Sequence, residues 1–526
     1  AEGERLVDEE GNAFRIKGMC FGNNVWQNPD IPTVTHHDRE SYKELSELGF
    51  NTVRFYLNYR LFEEDEAPYV YKEEAFGWLD QNIRWAHENN IRLVLNLHVP
   101  QGGFLSAKNV QFWKDEENIS RYTALWHEIA TRYADEPVIL GYGLMNEPFL
   151  PESGSADTTL ALYYGLMEEL VSVIRKADEN HMFFVERPYG TVDAAGSVNY
   201  AWGDVGSFRR ISDENTVYEF HFYEYTNFTS QGISWSSFEK DWYYGDDSIA
   251  LLSGKRDYCD VCKEKSIKEY DIWRGGWQLV ESPMYDISEY KAADVAYFVL
   301  YFSQLNKNAA VSIDDIVVKE YDSTGQFVRE VYTYSFDSVT ECSGWDFGTG
   351  NGGRCVYVQS AGHESPGCEM ILDARGDYRL YKNESIYNYF PIKEGNRYQV
   401  SCWIKVEGWA PVVIQPSMQL VEVEKVFALN KEFLRNKLNL YRELGQEHNV
   451  PIYIGEFGVT SHIMGNKFGG EKWVEDVFDI LNEFSMNYSY HDYHEENYGF
   501  YTTPSTKERG EKNTYLLRVF KTKVKD

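Results

Sequence analysis

The sequence predicts an α/β protein, a (β/α)₈ TIM barrel that carries an inserted antiparallel β-sandwich, or jelly roll. Short β-rich runs alternate with amphipathic helical patterns six times in the first 225 residues, and the alternation resumes twice after residue 425. The sequence between the two parts alternates strand patterns with turns. Because eight βα units close a parallel sheet on itself, we expect a barrel formed by residues 1–245 and 426–526, with the β-sandwich at residues 246–425.

The composition is typical of a large folded protein. The 526 residues exceed the roughly 250 that such a barrel needs, which leaves room for the insert. Hydrophobic residues make up 43% of the chain and charged residues 25%, as in folded soluble proteins. No apolar run approaches the ~20 residues of a spanning helix, so we expect no membrane span.

Eight β-rich runs are the predicted barrel strands. Between them lie helical patterns such as residues 120–134, where Leu125, Ile129 and Tyr133 share one helix face. A second helical pattern at 426–449 stands where the helix after the sixth strand is expected, so the β-sandwich occupies a βα loop. The predicted strands cover residues 14–19, 51–57, 92–98, 138–146, 182–186, 217–223, 450–458 and 486–493.

The charge of the chain excludes some classes of partner. The formal net charge is −32, from 51 Lys+Arg against 83 Asp+Glu, so nucleic acids and anionic membranes are repelled. The same charge disfavours chains rich in uronic acid. Aromatic residues make up 16% of the sequence, and flat rings can stack on sugars. We expect a neutral partner and a monomer.

The start of the chain and its cysteines bear on location. The chain begins at Ala1 without a charged and apolar leader, which predicts a processed protein that is secreted or on the cell surface. Six of the seven cysteines lie in the middle segment, and their pairing stays open. Cys259 and Cys262 form a CDVC pair, a weak zinc or redox signal because no second pair accompanies it.

Two glutamates close predicted strands that are distant in sequence. Glu147 follows the fourth strand in LMNEP, and Glu456 ends the seventh in YIGEFG. In a closed barrel both side chains lie at the carboxyl-end face, where active sites of this fold are built. Paired carboxylates above a cleft indicate glycoside hydrolysis, with one as proton donor and the other as nucleophile or base.

Further polar residues recur at predicted strand ends: Arg54, His98, His221 and Tyr223. A lone buried histidine is more often a core residue than a catalytic one. The pattern over five strands favours a site.

Together these stretches resemble glycoside hydrolase family 5, a family of retaining cellulases and mannanases. The matching motifs are VRFYLNY, LNLHVPQGG, LMNEP, HFY and IGEFG, and the resemblance covers residues 1 to about 245 and 426–526. It implies that Glu147 is the acid/base and Glu456 the nucleophile. No metal and no cofactor are implied.

The resemblance also implies roles for neighbouring residues. Asn146 would hold the sugar 2-hydroxyl, and Arg54 would orient the nucleophile and keep it ionised. The shell around the cleaved bond would be completed by His98, His221 and Tyr223. Trp235, in a segment resembling one that follows the sixth strand in some members, is a candidate for substrate stacking, as are Trp26 and Trp113.

The eighth strand departs from the family pattern, which has a tryptophan beneath the sugar. Here the sequence is NYSYHDYHEENYGFY, so Tyr488, Tyr490 or His491 is expected to substitute for it. The preferred sugar stays open for this reason.

The insert resembles carbohydrate-binding jelly rolls in a circularly permuted order. Residues 312–322, SIDDIVVKEYD, resemble the closing strand of such modules, and the original ends would meet near residues 322–327. Such modules often carry a structural calcium ion, but no motif of oxygen ligands in this sequence is strong enough to name residues. Candidate sugar contacts are Trp273, Trp277, Trp345, Trp403 and Trp409, although the alternation around Trp403 favours a core position.

These observations predict a retaining endo-β-1,4-glycanase that hydrolyses plant cell-wall β-glucan, a cellulase. A β-mannanase and an exo-acting enzyme are the alternatives, and transglycosylation is a further one. A non-catalytic glycan-binding protein is the alternative of another class.

Overall fold

A computed structural model provides the structure of the protein, and it has two compact units. One comprises residues 1–245 and 430–526, and the other residues 246–429. The structure describes residues 1–8, 10–26, 29–194, 196–200, 202–203, 205–233, 242–245, 250–260, 270–272, 275–287, 295–305, 310–337, 342, 345–347, 353–358, 362–363, 366–372, 376–382, 389–407, 412–465 and 468–525.

Eight parallel strands close the first unit into a barrel, which confirms the predicted fold. Each strand pairs with the next along the chain, and the eighth pairs with the first. The strands are β1 (Lys17–Phe21), β2 (Thr52–Asn58), β3 (Arg92–Val99), β4 (Ile139–Gly143), β5 (Met182–Glu186), β6 (Thr216–Phe222), β7 (Ile452–Phe457) and β8 (Asn487–Tyr490).

Seven longer helices belong to the described part of this unit. In the third, Leu125, Ile129 and Tyr133 are buried together, as their spacing predicts. Among the described residues, no helix is long and apolar enough to cross a membrane. The helices are α1 (Arg39–Leu48), α2 (Glu73–Glu88), α3 (Glu116–Tyr133), α4 (Ala156–Ile174), α5 (Lys431–His448), α6 (Gly470–Glu483) and α7 (Thr514–Lys523).

Short strands and short helices lie in the loops of the barrel. Leu6–Val7 pairs with Ala13–Phe14, and Tyr501–Thr502 pairs with Glu511–Lys512. The short helices are Tyr59–Phe62, Gln111–Lys114, Thr226–Thr229 and Ser461–Ile463.

The fifth βα unit differs from the prediction of six regular repeats. Between β5 and β6 the described residues contain no helix, and Gly190–Val192 instead pairs with Val198–Asn199 and Phe149–Pro151. The backbone groups of this crossover are thus satisfied by a small sheet over the loops after β4 and β5.

Two strand predictions need correction near the site. β4 ends at Gly143 rather than at residue 146, since its pairing with β5 stops at Gly143 and Phe184. Arg54 lies inside β2 rather than at its end. Its long side chain lies in the barrel interior, where it is fully buried.

The helix after the insert begins later than residue 426. Residues 426–428 complete the strand Val412–Ala428, whose end pairs with Ala250–Leu252. Helix α5 begins at Lys431, because the Asn430 side chain accepts a hydrogen bond from the Phe433 N–H and caps it. The second part of the barrel therefore begins at residue 430.

The described residues of the second unit form two antiparallel sheets. The first contains Ala250–Asp260, Tyr270–Ile272, Val295–Leu305, Trp345–Phe347, Gly376–Lys382, Tyr389–Pro391 and Val412–Ala428. The second contains Gln278–Glu281, Tyr285–Asp286, Ala310–Tyr321, Phe327–Tyr334, Gly353–Val358, Gly367–Leu372 and Arg397–Glu407. Apolar side chains from both sheets share one core, including Phe298, Met418, Ile313 and Ile404, so the sheets pack face to face.

The core of this unit corrects the prediction for Trp403 and bears on the cysteines. Cys402, Ile404 and Val406 are the buried side of their strand, and Trp403 is partly exposed on the other side. Cys20 and Cys402 are buried free thiols. The side chains of Cys259 and Cys262 lie outside the described part of the chain.

Replacing the cap residue of α5 tests the corrected helix start. We expect Asn430→Ala to lower the free energy of unfolding by about 1 kcal/mol, because the Phe433 N–H loses its acceptor, whereas Asn430→Gly costs only a few tenths. Thermal unfolding midpoints report the difference. Asn439→Ala, within the exposed face of the same helix, is the control, and equal losses at positions 430 and 439 would contradict the cap.

Candidate active site

Strands β2, β4, β6 and β7 bring their polar residues to one end of the barrel. Arg54 lies on β2, Asn146 and Glu147 follow β4, His221 lies on β6, and Glu456 on β7. His221 and Glu456 are register partners across neighbouring strands. The structure thus groups the two glutamates that the sequence separates.

Glu456 is almost fully buried and accepts three hydrogen bonds. Its Oε1 accepts from Arg54 at 2.8 Å and from the Tyr56 hydroxyl at 2.6 Å, and its Oε2 accepts from the Tyr223 hydroxyl at 2.8 Å. Burial opposes ionisation, but the charges of His221 and Arg54 outweigh it and hold the pKa of Glu456 well below its usual range. This carboxylate stays ionised and fixed in direction.

Arg54 is the cation that several acceptors share. Besides Glu456, its guanidinium donates to Asn146 Oδ1 at 2.9 Å and lies 2.8 Å from Glu219 Oε1. Glu186 lies 3.8 Å away. Since the Arg54 side chain has no exposed surface, its buried charge is compensated mainly by Glu219 and Glu456, both at 2.8 Å.

His221 contacts both glutamates through one ring nitrogen. Its Nδ1 lies 2.9 Å from Glu147 Oε1 and 3.5 Å from Glu456 Oε2. Burial lowers the pKa of His221, but Glu186, Glu456 and Glu147 outweigh it and raise this pKa well above the usual value. Because both oxygens contact the same nitrogen, at 2.9 and 3.5 Å, they lie no more than about 6.4 Å apart.

Glu147 differs from Glu456 in exposure and in backbone. Its side chain is 26% exposed, against 6% for Glu456. Its φ is +40°, which is unusual for a residue with a side chain. The Glu147 N–H donates to Glu186 Oε2 at 2.9 Å, so a buried carboxyl holds the strained backbone. The Glu147 carboxyl is thus partly open to solvent, whereas Glu456 is not.

Asn146 and His98 lie in the shell around the glutamates. Asn146 accepts from Arg54 through Oδ1, which leaves its NH₂ group available to donate to a ligand. His98 stacks on Tyr56 at 4.0 Å between ring centroids, and its Nδ1 contacts Asn96 Oδ1 at 3.1 Å. Burial holds the pKa of His98 well below its usual value, so its ring is neutral.

Aromatic side chains line the mouth. Tyr488 and Tyr490 pack outwards against Phe457 and Phe478, so neither replaces the missing tryptophan of strand eight. His491 does lie at the mouth, 3.1 Å from the Tyr56 hydroxyl.

Trp26 faces His491 and His98, with ring centroids 6.0 and 5.9 Å away. Beside it opens a cleft of about 550 Å³, whose lining includes Asn58, Phe104 and Arg121. Trp113 instead packs locally on Phe112 and donates to the Phe149 carbonyl. Trp235 lies outside the described residues.

Glu186 and Glu219 also belong to the site, although neither was predicted from the sequence. Both are on barrel strands already predicted, so the rule that singled out Glu147 and Glu456 could have found them. Burial, followed by the carboxyls of Glu219 and Glu147, raises the pKa of Glu186 well above its usual value. Gly455 makes room for Glu219, since a Cβ there would lie 1.7 Å from Glu219 Oε1.

One group of potential metal ligands belongs to this cluster. Ligand atoms of Glu147, Glu186 and His221 lie within 4.8 Å of one another. His221 is a poor ligand here, because its raised pKa keeps a proton on each ring nitrogen.

Removing the shared cation tests this network. We expect Arg54→Met to destabilise the protein by about 3–5 kcal/mol at neutral pH, because it leaves buried carboxylates without a counter-charge. The stability that Glu456 gains from its lowered pKa is present above the ordinary carboxyl value of about 4.3 and is lost as pH falls through the lower folded value. The difference between wild type and variant should therefore shrink towards acid pH.

Denaturation midpoints measured across this pH range give the result. Arg60→Met is the control, because Arg60 is half exposed and its ion pair with Glu64 is worth about 0–1 kcal/mol. A difference between wild type and Arg54→Met that stays constant with pH would contradict the role of Arg54 as counter-charge.

Comparison with known proteins gives a family match over the first part of the barrel. Residues 7–261 match the sequence model of Cellulase (glycosyl hydrolase family 5). Endoglucanase C of Acetivibrio thermocellus is 29% identical over 205 residues, 39% of this chain and 54% of that protein. A β-xylosidase of Phanerodontia chrysosporium is 32% identical over 266 residues, 43% of this chain and 52% of that protein. The chain thus spans about half the length of these relatives.

Solved structures align over nearly the whole chain. The endoglucanase Cel5A of Thermotoga maritima aligns over 96% of both chains with a TM-score of 0.48 and 15% identity. The Clostridial cellulose synthase subunit Z of Clostridioides difficile aligns over 96% of this chain and 99% of that one, with a TM-score of 0.48 and 14% identity. At such TM-scores the alignments do not establish the fold. The evidence for the barrel is the strand pairing within this chain. The strand pairing therefore shows the barrel, and residues 7–261 within this chain are similar to the cellulases of glycoside hydrolase family 5.

Proposed function

We propose that the protein is a retaining endo-β-1,4-glycanase acting on β-glucan, with Glu456 as nucleophile and Glu147 as acid/base. The observation that carries the proposal is the shared contact of both carboxylates with His221 Nδ1. It favours the short separation of a retaining pair, about 5–5.5 Å, over the 6.5–9.5 Å of an inverting pair. The buried, ionised Glu456 and the exposed Glu147 suit different tasks.

In the first step, Glu456 attacks the anomeric carbon while Glu147 gives its proton to the leaving oxygen. The glycosidic bond breaks, and an ester forms between Glu456 and the sugar. In the second step, Glu147 takes a proton from a water molecule that attacks the same carbon, and the ester bond breaks. Glu456 returns as carboxylate and Glu147 as acid, so neither cofactor nor metal takes part.

Arg54, Tyr56 and Tyr223 hold the nucleophile for this attack. Their three hydrogen bonds fix both oxygens of Glu456 and favour its charged form. Asn146 donates through its free NH₂ group to the sugar 2-hydroxyl. His221, carrying a proton, sets the distance between the two carboxyls and holds Glu147 towards the substrate.

The substrate class follows from charge, cleft and relatives. A chain with a net charge of −32 suits a neutral polysaccharide. The cleft beside Trp26 provides room and a ring for further sugar units, which favours endo attack. Relatives named endoglucanases favour β-glucan, with β-mannan second and exo action as the alternative. Since plant cell-wall β-glucan lies outside the cell that degrades it, we propose a secreted or cell-surface enzyme, and we propose a monomer.

Variants of the two glutamates test their roles separately. We expect Glu456→Gln to lower kcat on soluble β-glucan by about 10⁴-fold or more, because no nucleophile remains. Glu147→Gln should lose about 10²–10⁴-fold on β-glucan but much less on an aryl cellobioside whose leaving group needs no proton. Reducing-end and aryl-release assays give these rates.

Glu152→Gln, an exposed neighbour, is the matched control and should keep full activity. Undiminished turnover by Glu456→Gln would defeat the mechanism. A wild type without turnover on carboxymethylcellulose, mixed-linkage glucan, glucomannan, mannan and laminarin would leave the non-catalytic glycan-binding protein.

We propose a glycan-holding role for the inserted β-sandwich, on the side of the second sheet that faces away from its core. Trp403 stacks on His363 at 3.6 Å between ring centroids, and Trp277 meets the same His363 edge-on at 6.0 Å. Both tryptophans are partly exposed. Trp345 is buried in the core, and the side chains of Trp273 and Trp409 lie outside the described residues.

Truncating Trp403 tests this role. We expect Trp403→Ala to reduce retardation by β-glucan in affinity electrophoresis, because a ring stacked on a sugar contributes about 1 kcal/mol or more to the binding free energy. Hydrolysis of a short aryl cellobioside should stay unchanged. Val328→Ala, at an exposed apolar residue of the same unit that is not paired with Trp403, is the control. Equal retardation of wild type and Trp403→Ala on every polysaccharide would contradict the role of this ring.

A further inference from the structure

Three buried histidines meet outside the carboxylate cluster. His36 and His37 lie in the loop between β1 and α1, and His494 follows β8. Their exposed fractions are 0%, 2% and 1%. One ring nitrogen of each lies within 4.8 Å of one ring nitrogen of each of the other two. Neither Glu147 nor Glu456 contacts these three among the described interactions.

Several of these ring nitrogens lack hydrogen-bond partners. Among the described residues, none bonds to either ring nitrogen of His494 or to His36 Nε2. A neutral imidazole has one donor and one acceptor, and burying both without partners is costly. The His36 and His494 rings lie 4.0 Å apart, so the unsatisfied atoms are close together. Such a group calls for an occupant that binds nitrogen.

Hydrogen bonds around His37 fix which nitrogen faces the group. The Asn82 NH₂ donates to the Trp78 carbonyl, so Asn82 Oδ1 is the acceptor for His37 Nε2 at 2.9 Å. The proton therefore sits on Nε2, and Nδ1 carries a lone pair. That Nδ1 lies 3.1 Å from His36 Nδ1. Two nitrogens bound to one tetrahedral zinc ion lie at a similar spacing, about 3.3 Å apart.

The surroundings keep these imidazoles neutral. Burial lowers the pKa of His36 to about 2, that of His37 to about 4, and that of His494 well below its usual value. The nearby cation, Arg509, is paired with Asp38 at 2.8 Å, which offsets its charge. Neutral imidazole is the form that binds metal.

We propose that His36, His37 and His494 form a binding site for Zn²⁺, with a water molecule as the fourth ligand. An all-nitrogen donor set favours zinc over calcium or magnesium, which take oxygen ligands. The ion would join the loop after β1 to the segment after β8, across the seam where the first and last strands pair. The segment after β8 also carries His491, so the bound ion would stabilise one side of the barrel end at which the two glutamates lie.

Zinc binding by the full chain, with any affinity tag removed, tests the proposal. We expect the wild type to retain one equivalent of Zn²⁺ after gel filtration. Its Tm should be about 5 °C higher in Zn²⁺ than in chelator, with no rise in Ca²⁺. Loaded with Co²⁺ instead, it should show the visible absorption of a nitrogen-ligated ion. His494→Phe, which keeps an aromatic ring, and His37→Gln should both lose the zinc and the Tm rise.

Two further variants are controls. His87→Asn removes an exposed histidine, and Cys262→Ser removes one member of the CDVC pair, the other zinc candidate in the sequence. Both should keep the bound zinc and the Tm rise. The proposal is overturned if wild type retains no zinc and shows no shift. It is also overturned if the shift survives in whichever of His494→Phe and His37→Gln folds, or disappears in Cys262→Ser.

Discussion

The active end of the barrel depends on one buried guanidinium. Arg54 has no contact with solvent, yet it lies within 3.8 Å of three carboxyls and donates to an amide oxygen. A cation in such a place is stable only if acceptors surround it, and carboxylates at this depth are stable only beside a cation. The guanidinium and the carboxyls therefore hold one another in place. Glu456 is held ionised and in one orientation by this mutual requirement.

The same network gives the two glutamates different surroundings. Glu456 lies inside it and has little solvent contact, whereas Glu147 is attached at its edge through His221 and reaches the open mouth. A proton donor must exchange protons with water between steps, and a nucleophile must stay charged and aimed. The left-handed backbone at Glu147 belongs to the same network, because its N–H donates to Glu186. In the proposed mechanism, position relative to Arg54 is what separates the nucleophile from the proton donor.

Strand ends were predictable from sequence, and details that depend on packing were not. The alternation of apolar runs was enough to place Glu147 and Glu456 at one face, since parallel strands of a barrel must end together. It could not show that Arg54 reaches the site from mid-strand, because chain position says nothing about the reach of a long side chain. Nor could it separate His491 from Tyr488 and Tyr490, whose directions depend on the pleat of a four-residue strand. Among the described residues between β5 and β6, a small local sheet stands in place of a helix, and it has no strong sequence signal.

Trapping the covalent intermediate tests the central claim most directly. A 2-deoxy-2-fluoro cellobioside with a good leaving group slows hydrolysis of the glycosyl ester, so the modified peptide can be found by mass spectrometry after proteolysis. We expect one glycosyl group per chain, on the peptide that contains Glu456 and on the carboxyl of that residue. A label on Glu186 or Glu219 would contradict it. So would inversion at the anomeric carbon with no label at all.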